Sequence, residues 1–246
     1  MIVIPMAGLS SRFAKVGYSK PKYMLELAGK SLFQHSVGSF LPYCFENHFV
    51  FICRDVEGTP EFVRSEAKKL GLKSWELKVL EIETEGQADS VAMGLAKVNS
   101  ESNLTIFNID TFRKNLDFRH FEQAERGVIE VFEGPGNAWS FVKPGPDNQV
   151  LMTAEKQRIS NLCSTGLYHF PRVDQFLEIV QKAKEPDSDL KAKGEIYVAP
   201  LYNALIAMGV EVVYYKIQRN EVAFCGVPDE YVSLQRAVEN GLGIFV

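Results

Sequence analysis

The chain has 246 residues and a mass of 27.7 kDa, with 46% hydrophobic and 24% charged residues. This usage excludes disordered, collagen-like and coiled-coil proteins, and the length is sufficient for one large buried core. The net charge is −4, so the bulk charge favours neither nucleic acid nor an anionic membrane as a partner. Any anionic ligand must therefore be held by local groups.

The cysteines and the N-terminus indicate a reducing compartment. Cys44, Cys53, Cys163 and Cys225 form no C-x-x-C pair, and a chain of this size needs no disulfides. The apolar start at residues 1–5 is too short for a signal peptide, and no apolar run approaches the roughly 18 residues of a membrane span. We therefore expect a cytoplasmic protein.

Short apolar runs alternate with helical patterns along the first half of the chain. This pattern predicts strands at 2–5, 48–53, 77–82 and 104–109, and helices at 31–41, 59–70 and 87–98. Strands that alternate with helices form parallel sheets with right-handed crossovers. The fold predicted is therefore α/β, with a Rossmann-like, mixed but mainly parallel sheet flanked by helices.

In the second half, short strands are separated by Gly-Pro clusters. We predict strands at 128–132, 138–142, 149–154, 162–170 and 210–217, and helices at 173–184, 196–208 and 228–240. The sequence shows no internal repeat and no linker that would divide the chain. A single domain, residues 1–246, is the expectation.

The loop after the first strand is the strongest local signal. It reads Met6-Ala7-Gly8-Leu9-Ser10-Ser11-Arg12-Phe13 and lies at the carboxyl end of a strand, where open α/β sheets bind ligands. Small residues let backbone N–H groups face a phosphate, and an arginine adds charge. The loop lacks the G-K-[ST] of a Walker motif, and a tight turn with a surface arginine is the alternative. Lys20-Pro21-Lys22 follows, either as surface lysines or as phosphate ligands.

These segments belong to a longer series of motifs. The series continues in chain order with Glu85-Gly86-Gln87-Ala88, Asn108-Ile109-Asp110, Glu155-Lys156, Ser164-Thr165-Gly166-Leu167-Tyr168, Gly194-Glu195-Ile196-Tyr197 and Gly226-Val227-Pro228-Asp229-Glu230-Tyr231. Over nearly its whole length the chain resembles the sugar-phosphate nucleotidyltransferases. It is most similar to their short members that are associated with capsule and surface-polysaccharide biosynthesis.

The resemblance implies a reaction and a fold. An NTP and a phosphomonoester would give an NDP-linked product and pyrophosphate, by in-line attack on the α-phosphorus, with Mg²⁺ as cofactor. The implied fold is GT-A-like, with a nucleotide-binding half at about 1–133, a small acceptor-binding lid at about 134–172 and closing elements at 173–246. The partners expected are a pyrimidine NTP and a small phosphorylated acceptor, without nucleic acid or membrane, and a homo-oligomer is left open.

The resemblance also assigns roles to individual residues. The catalytic residues it implies are Arg12, Lys22, Asp110 and Lys156. The nucleotide-binding residues it implies are Ala7, Gly8, Leu9, Ser10, Ser11, Gln87 and Ala88. The acceptor-binding residues it implies are Trp139, Ser140, Glu155, Arg158, Asn161, Thr165, Gly166 and Glu195.

Asp110 matches the family carboxylate that binds Mg²⁺. It follows an apolar strand, although an N-cap of a helix is the alternative interpretation. The family's second aspartate, two residues before a glycine, is replaced by Phe224. Either Asp110 and the phosphates hold the metal, or Asp229 supplies a second carboxylate. The four histidines have no metal-ligand spacing, so His35 and His169 are expected to be structural.

Glu155 and Lys156 match the pair that holds the acceptor. Adjacent strand residues point to opposite faces, so both can serve one site only at a bulge or a strand end. Trp139-Ser140 stands where sugar-using relatives have an aromatic residue and glycine. With Arg158 nearby, this difference favours a smaller or more anionic acceptor, or is ordinary drift.

Three alternatives remain open from the sequence. CTP with a small non-sugar phosphate competes with UTP or dTTP and a sugar 1-phosphate. A glycosyltransferase is disfavoured, because Asn108-Ile109-Asp110 has one aspartate where such enzymes have Asp-x-Asp. A catalytically inactive nucleotide sensor is the alternative from another class.

Overall fold

The computed structural model describes residues 1–98, 101–122, 124–192 and 194–245. Its strands are β1 (Ile2–Pro5), β2 (Glu26–Leu27), β3 (Lys30–Ser31), β4 (Phe49–Arg54), β5 (Trp75–Leu80), β6 (Leu104–Phe107), β7 (Thr111–Arg113), β8 (Gly127–Glu133), β9 (Ser140–Pro144), β10 (Val150–Glu155), β11 (Leu162–Phe170), β12 (Val212–Lys216) and β13 (Val222–Phe224). Its helices are α1 (Ser11–Lys15), α2 (Leu32–Gly38), α3 (Thr59–Lys69), α4 (Gln87–Leu95), α5 (Arg119–Glu122), α6 (Val173–Ala183), α7 (Leu201–Ala207) and α8 (Pro228–Glu239). None of the helices in these four ranges is long and apolar enough to cross a bilayer.

The chain divides into two compact units. The first unit comprises Met1–Val3, Ile82–Phe107 and Arg119–Arg219. The second unit comprises Ile4–Glu81, Asn108–Phe118 and Asn220–Val246. Strand β1 thus gives its first residues to one unit and its last residues to the other.

The first unit is built around β11, which is buried along its whole length. This strand pairs antiparallel with β6, β8 and β9, and β9 pairs antiparallel with β10. The first residues of β1 pair in parallel with β6, and β12 pairs in parallel with β8. Helix α6 packs on β11 because its buried residues, at spacings of three and four, form one apolar face.

The second unit combines a parallel strand pair with an antiparallel ribbon. Strands β4 and β5 pair in parallel from Phe49 opposite Trp75 to Arg54 opposite Leu80. Strand β7 pairs antiparallel with β13. A separate apolar cluster, which includes Phe13, Phe112 and Tyr231, joins the ribbon to α1 and α8. The carboxyl end of β1 and the start of β7 belong to the same unit.

The fold class expected from the sequence, a mixed sheet flanked by helices, is confirmed. The helix predicted at 196–208 begins only at Leu201. The backbone N–H and carbonyl of Ile196 bond to Glu85 and Ala88 instead, so they are not free for a first helical turn. The helix predicted at 87–98 ends at Leu95. The single domain and its boundaries stay a prediction.

Candidate functional site

The second unit brings Lys22 and Asp110 into direct contact. The Lys22 ammonium donates a hydrogen bond to Oδ2 of Asp110, and their side chains are 20% and 22% exposed. Asp110 directly precedes strand β7, so the alternative in which it caps a helix is wrong. A partly exposed ammonium and carboxylate in contact can exchange this ion pair for a phosphate and a cation.

The glycine loop leads into this pair. Ser10 adopts a left-handed conformation, with φ of 51°, and precedes the short helix α1. Its hydroxyl accepts a hydrogen bond of 3.1 Å from the backbone N–H of Lys22. Ala7 is half-buried, whereas Gly8, Leu9, Ser11 and Arg12 are exposed. The loop therefore presents an open face, and Ser10 ties it to the segment that carries Lys22.

A second carboxylate, which the sequence analysis missed, lies beside Asp110. Oε2 of Glu230 accepts hydrogen bonds from the backbone N–H groups of Gly226, at 2.7 Å, and of Val227, at 3.2 Å. The backbone N–H of Cys225 donates to the carbonyl of Asp110 over 2.8 Å. Burial and, to a smaller extent, the charge of Asp110 raise the pKa of Glu230 above its ordinary value. Glu230 therefore belongs to the surroundings of Asp110.

Asp229 is exposed in the first turn of α8, and the structure does not bring it to Asp110. Phe224 lies opposite Thr111 in the β7–β13 ribbon. Consecutive helical residues diverge by about 100°, which explains why Glu230 and not Asp229 turns inward. The motif Gly226-Val227-Pro228-Asp229-Glu230 contains the signal, because a glutamate at the third helical position often bonds back to the preceding backbone.

The carboxylates near Lys22 fit a magnesium ion whose other ligands are phosphate oxygens of the nucleotide and waters. No group of three or more His, Cys, Asp or Glu side chains suited to a metal occurs within the described ranges. Mg²⁺ commonly takes one or two carboxylates and completes its shell with phosphate oxygens and waters. Asp110, partly exposed and close to Glu230, offers that kind of donor set.

In the first unit, Glu155 and Lys156 share one side of the chain. Strand β10 ends at Glu155, and Lys156 has a φ of 54°, which is left-handed and unusual for a residue with a side chain. Nζ of Lys156 lies 3.4 Å from Oε1 of Glu155, whose side chain is only 6% exposed. The expectation that a strand end is needed to bring both groups together is confirmed.

The Ser140 hydroxyl holds the second carboxylate oxygen of Glu155. The Ser140 hydroxyl donates to Oε2 of Glu155. Tyr168 donates to Ser140 over 3.4 Å, and burial raises the pKa of this tyrosine to about 12. Because Tyr168 stays protonated, it is a permanent donor. Glu155 therefore contacts Ser140 and Lys156, and Tyr168 supports Ser140 from behind.

Tyr197, also missed from the sequence, completes the surroundings of Lys156. Nζ of Lys156 donates to Oη of Tyr197 over 2.7 Å. Burial lowers the pKa of Lys156, but the bond to Tyr197 and the charge of Glu155 outweigh it, so the pKa is raised overall. Glu195, which is exposed, is hydrogen-bonded to Tyr197. The side chains of Glu155, Lys156, Tyr197 and Glu195 are thus connected.

The segment that contains Gln87 is fixed by backbone bonds to Ile196. Ile196 donates to the Glu85 carbonyl over 2.6 Å and accepts from the Ala88 N–H over 3.0 Å. Gly86 lies between them with φ of 130°, and a Cβ there would be 2.7 Å from the Ile196 oxygen. Gln87 is the first residue of α4 and is half-buried. Only glycine fits at position 86.

Other predicted acceptor residues stabilise a loop. Arg158 donates to the carbonyls of Gly134 and Gly136 and, over 2.7 Å, to Oδ1 of Asn161. Trp139 donates to the carbonyl of Pro135 over 3.0 Å. These bonds hold residues 134–136 in place, so the Arg158 guanidinium is already engaged by the protein.

Thr165 and Gly166 lie in an irregular part of β11. The Thr165 hydroxyl donates to the buried carboxyl of Glu130 over 2.9 Å, and Thr165 itself is 1% exposed. Gly166 has a φ of 91°, and the pairing of β11 with β8 shifts register between Ser164 and Tyr168. In this structure Thr165 faces Glu130.

The comparisons with known proteins identify the family. The model of the MobA-like NTP transferase domain matches residues 2–125, which is half of the chain. A crystal structure of the nucleoside-diphosphate-sugar pyrophosphorylase from Vibrio cholerae RC9 is 50% identical, covering 96% of this chain and 100% of that one, with a TM-score of 0.90. The chain therefore belongs to the MobA-like NTP transferase family and is a nucleotidyltransferase. No curated protein matches it significantly.

More distant structures share the fold alone. UDP-glucose pyrophosphorylase complexed with UDP-glucose is 14% identical, covers 98% of both chains and has a TM-score of 0.78. The inositol-1-phosphate CTP transferase from T. maritima is 16% identical, with 98% of this chain and 97% of that one covered and a TM-score of 0.75. Both support the nucleotidyltransferase fold that the resemblance implied.

Proposed function

We propose that the protein transfers a nucleoside monophosphate from an NTP to a small phosphomonoester and releases pyrophosphate. The observation that carries this proposal is the contact between Lys22 and Asp110 at the end of the glycine loop. Family membership supports the transfer reaction. The name of the Vibrio cholerae relative supports a nucleoside-diphosphate-sugar product.

The triphosphate is assigned to the glycine loop and to Lys22. The backbone of residues 7–11 faces the phosphates, and Arg12 neutralises the charge that grows on the leaving pyrophosphate. Lys22 moves from Asp110 to the α-phosphate and stabilises the charge on the transferred group. Mg²⁺ held by Asp110 would neutralise phosphate oxygens during the displacement.

The base is assigned to the start of α4, and the acceptor to the end of β10. Gln87 and Ala88 read the base edge, because an amide side chain both donates and accepts hydrogen bonds. Lys156 binds the acceptor's phosphate, and Glu155 binds a hydroxyl or amine of the acceptor. Ser140 and Tyr168 hold the Glu155 carboxylate in place. The protein forms no covalent intermediate, since the acceptor phosphate is itself the nucleophile.

Two pairs of substrates are proposed. A pyrimidine NTP with a sugar 1-phosphate, giving an activated precursor for a surface polysaccharide in the cytoplasm, is the first choice. CTP with a small non-sugar phosphate is the second, and the likeness in fold to an inositol-1-phosphate CTP transferase favours including it.

Pyrophosphate release tests the proposal. The protein is incubated with Mg²⁺, each common NTP, and a panel of sugar 1-phosphates and small phosphomonoesters. We expect acceptor-dependent release with one base, lost in Asp110→Asn and Lys22→Met but retained in Lys20→Met, which removes an exposed lysine nearby. Selective NTP binding without release from any pair would contradict the proposal and favour the inactive sensor.

A further inference from the structure

We propose that Tyr197 is a positioning residue that fixes the ammonium of Lys156 for the phosphate of the acceptor. This inference rests on the proposed function, in which Lys156 binds that phosphate. It adds a residue for which the family motifs give no role.

Lys156 has an unusual backbone conformation. Its left-handed backbone places the side chain on the same side as Glu155, and its N–H donates to the Trp139 carbonyl over 2.9 Å. A left-handed conformation is energetically unfavourable for a residue that has a side chain. The backbone sets where the side chain starts, but a lysine has four rotatable bonds, so its ammonium needs a further partner to hold one position.

The partner of the Lys156 ammonium is the phenol of Tyr197. Tyr197 accepts from Lys156 over 2.7 Å, which is shorter than the 3.4 Å from the ammonium to Glu155. A phenol is neutral, so it fixes the ammonium without cancelling its charge. Glu155 alone would form an ion pair that competes with an incoming phosphate. A hydrogen bond to Tyr197 leaves two of the three ammonium N–H groups for other acceptors.

The backbone next to Tyr197 is held in place by hydrogen bonds. Its neighbour Ile196 is bonded on both sides to the segment that carries Gln87. The absence of a Cβ at Gly86 permits this close approach. Besides Lys156, the Tyr197 hydroxyl has a hydrogen bond to the exposed side chain of Glu195. The backbone of Tyr197 is therefore anchored, while its hydroxyl reaches Lys156, the lysine proposed to bind the acceptor's phosphate.

Kinetics with both substrates tests this role. Tyr197→Phe should raise the KM for the acceptor about tenfold, because a hydrogen bond to a charged group is lost, while kcat and the KM for the NTP change less than twofold. Tyr43→Phe is the matched control, since Tyr43 is equally half-buried and donates to the Leu116 carbonyl over 3.0 Å. It should leave all three constants unchanged. An unchanged acceptor KM in Tyr197→Phe would overturn the inference.

A double-mutant cycle separates positioning from general stability. If Tyr197 acts through Lys156, then Tyr197→Phe in a Lys156→Ala background should add no further loss of acceptor binding. Additive losses would overturn the inference. Calorimetric titration of inorganic phosphate gives the same comparison without turnover. Weaker binding in Tyr197→Phe and Lys156→Ala, but not in Tyr43→Phe, is the expected result, and equal binding in all variants would overturn it.

These readouts distinguish the two proposals. If the wild-type protein turns over no substrate pair, the proposed function fails, and the phosphate titrations still decide the role of Tyr197. If turnover is normal and Tyr197→Phe behaves as wild type, only the positioning role fails.

Discussion

Gly226 lies directly against the carboxylate of Asp110. A Cβ at position 226 would be 3.1 Å from Oδ2 of Asp110 and 3.6 Å from Oε2 of Glu230. The two carboxylates therefore converge on a glycine, and the space that they share is set by the absence of a side chain. This relationship links the β7–β13 ribbon and the start of α8 to the proposed phosphate chemistry.

Replacing this glycine should affect activity more than folding. In Gly226→Ala the new methyl group must push the Asp110 carboxylate by a few tenths of an ångström, because 3.1 Å is tighter than ordinary contact. We expect kcat to fall about tenfold, since small misplacements in a catalytic site are costly. The half-saturating Mg²⁺ concentration should rise. The melting temperature should change little.

Gly38→Ala is the matched control for that variant. A Cβ at Gly38 would meet no described atom within 4 Å, and the residue lies in α2 within the same unit. It should leave kcat and the Mg²⁺ dependence unchanged. Wild-type kinetics in Gly226→Ala would show that Asp110 does not act where we place it.

Glu155→Gln should weaken the binding of the acceptor substrate but not that of the NTP. The amide keeps the size of the side chain and its contact with Ser140, but it removes the charge beside Lys156. We expect the acceptor KM to rise about tenfold, because the acceptor's hydroxyl or amine then bonds to a neutral amide oxygen, which is a weaker partner than the carboxylate. The KM for the NTP should stay within twofold. A change in the NTP constant alone would show that Glu155 serves the nucleotide.

Gly86→Ala should destabilise the first unit and weaken NTP binding. The methyl group would come within 2.7 Å of the Ile196 oxygen, so the bonds from Glu85 and Ala88 to Ile196 cannot be kept. We expect a loss of about 2 to 4 kcal/mol in unfolding free energy, from overpacking and two lost hydrogen bonds. Urea unfolding measures this loss, and NTP binding by calorimetry measures the functional effect.

The control for Gly86→Ala separates strain from collision. Gly71 also has a positive φ, of 71°, but a Cβ there would meet no described atom within 4 Å. Gly71→Ala should therefore cost only the backbone strain, about 1 kcal/mol. Equal losses in the two variants would show that the contact with Ile196 is not what requires glycine at 86.

His169 should make stability depend on pH. It is fully buried, bonds to Thr105 and to the Ala124 carbonyl, and burial lowers its pKa from 6.5 to about 4. Between these two values the unfolded chain binds more protons than the folded one. The contribution of neutral His169 is complete above pH 6.5 and is lost as the pH falls towards 4, by about 3 kcal/mol.

Urea unfolding of wild type and His169→Gln at pH 7.5 and 4.5 tests this prediction. Glutamine can donate to the Ala124 carbonyl but does not titrate. The variant should lose less stability than the wild type on acidification. The same loss in both proteins would show that His169 is not the group that titrates.

Much of the fold was predictable because hydrophobic periodicity dictates it. The buried strands β1, β4 and β6 are predicted close to their observed bounds, since each is a mainly apolar run between polar segments. Strand β11 is also predicted at its observed bounds, although it includes Ser164, Thr165 and His169. The ribbon of β7 and β13 was missed, because three-residue strands carry too little pattern. The start of α7 was misplaced, because the long-range bonds of Ile196 cannot be seen in the local sequence.

The candidate site was predictable only in part, for related reasons. Lys22 and Asp110 follow from motifs at loops and strand ends, and the structure brings them together. Glu230 does not follow from the family pattern, which has an aspartate two residues before a glycine, whereas here the start of α8 turns a glutamate inward. The structural role of Arg158 was missed because its partners are backbone carbonyls, which no side-chain pattern reports.

The most direct test of the account follows the α-phosphate. The protein is incubated with Mg²⁺, an α-³²P-labelled NTP and the acceptor that supports pyrophosphate release, and the labelled products are separated. We predict that the label moves into an NDP-linked product in wild type and in Lys20→Met, and that it stays in the NTP in Asp110→Asn. Label recovered as free nucleoside monophosphate, or equal transfer in Asp110→Asn, would contradict the account.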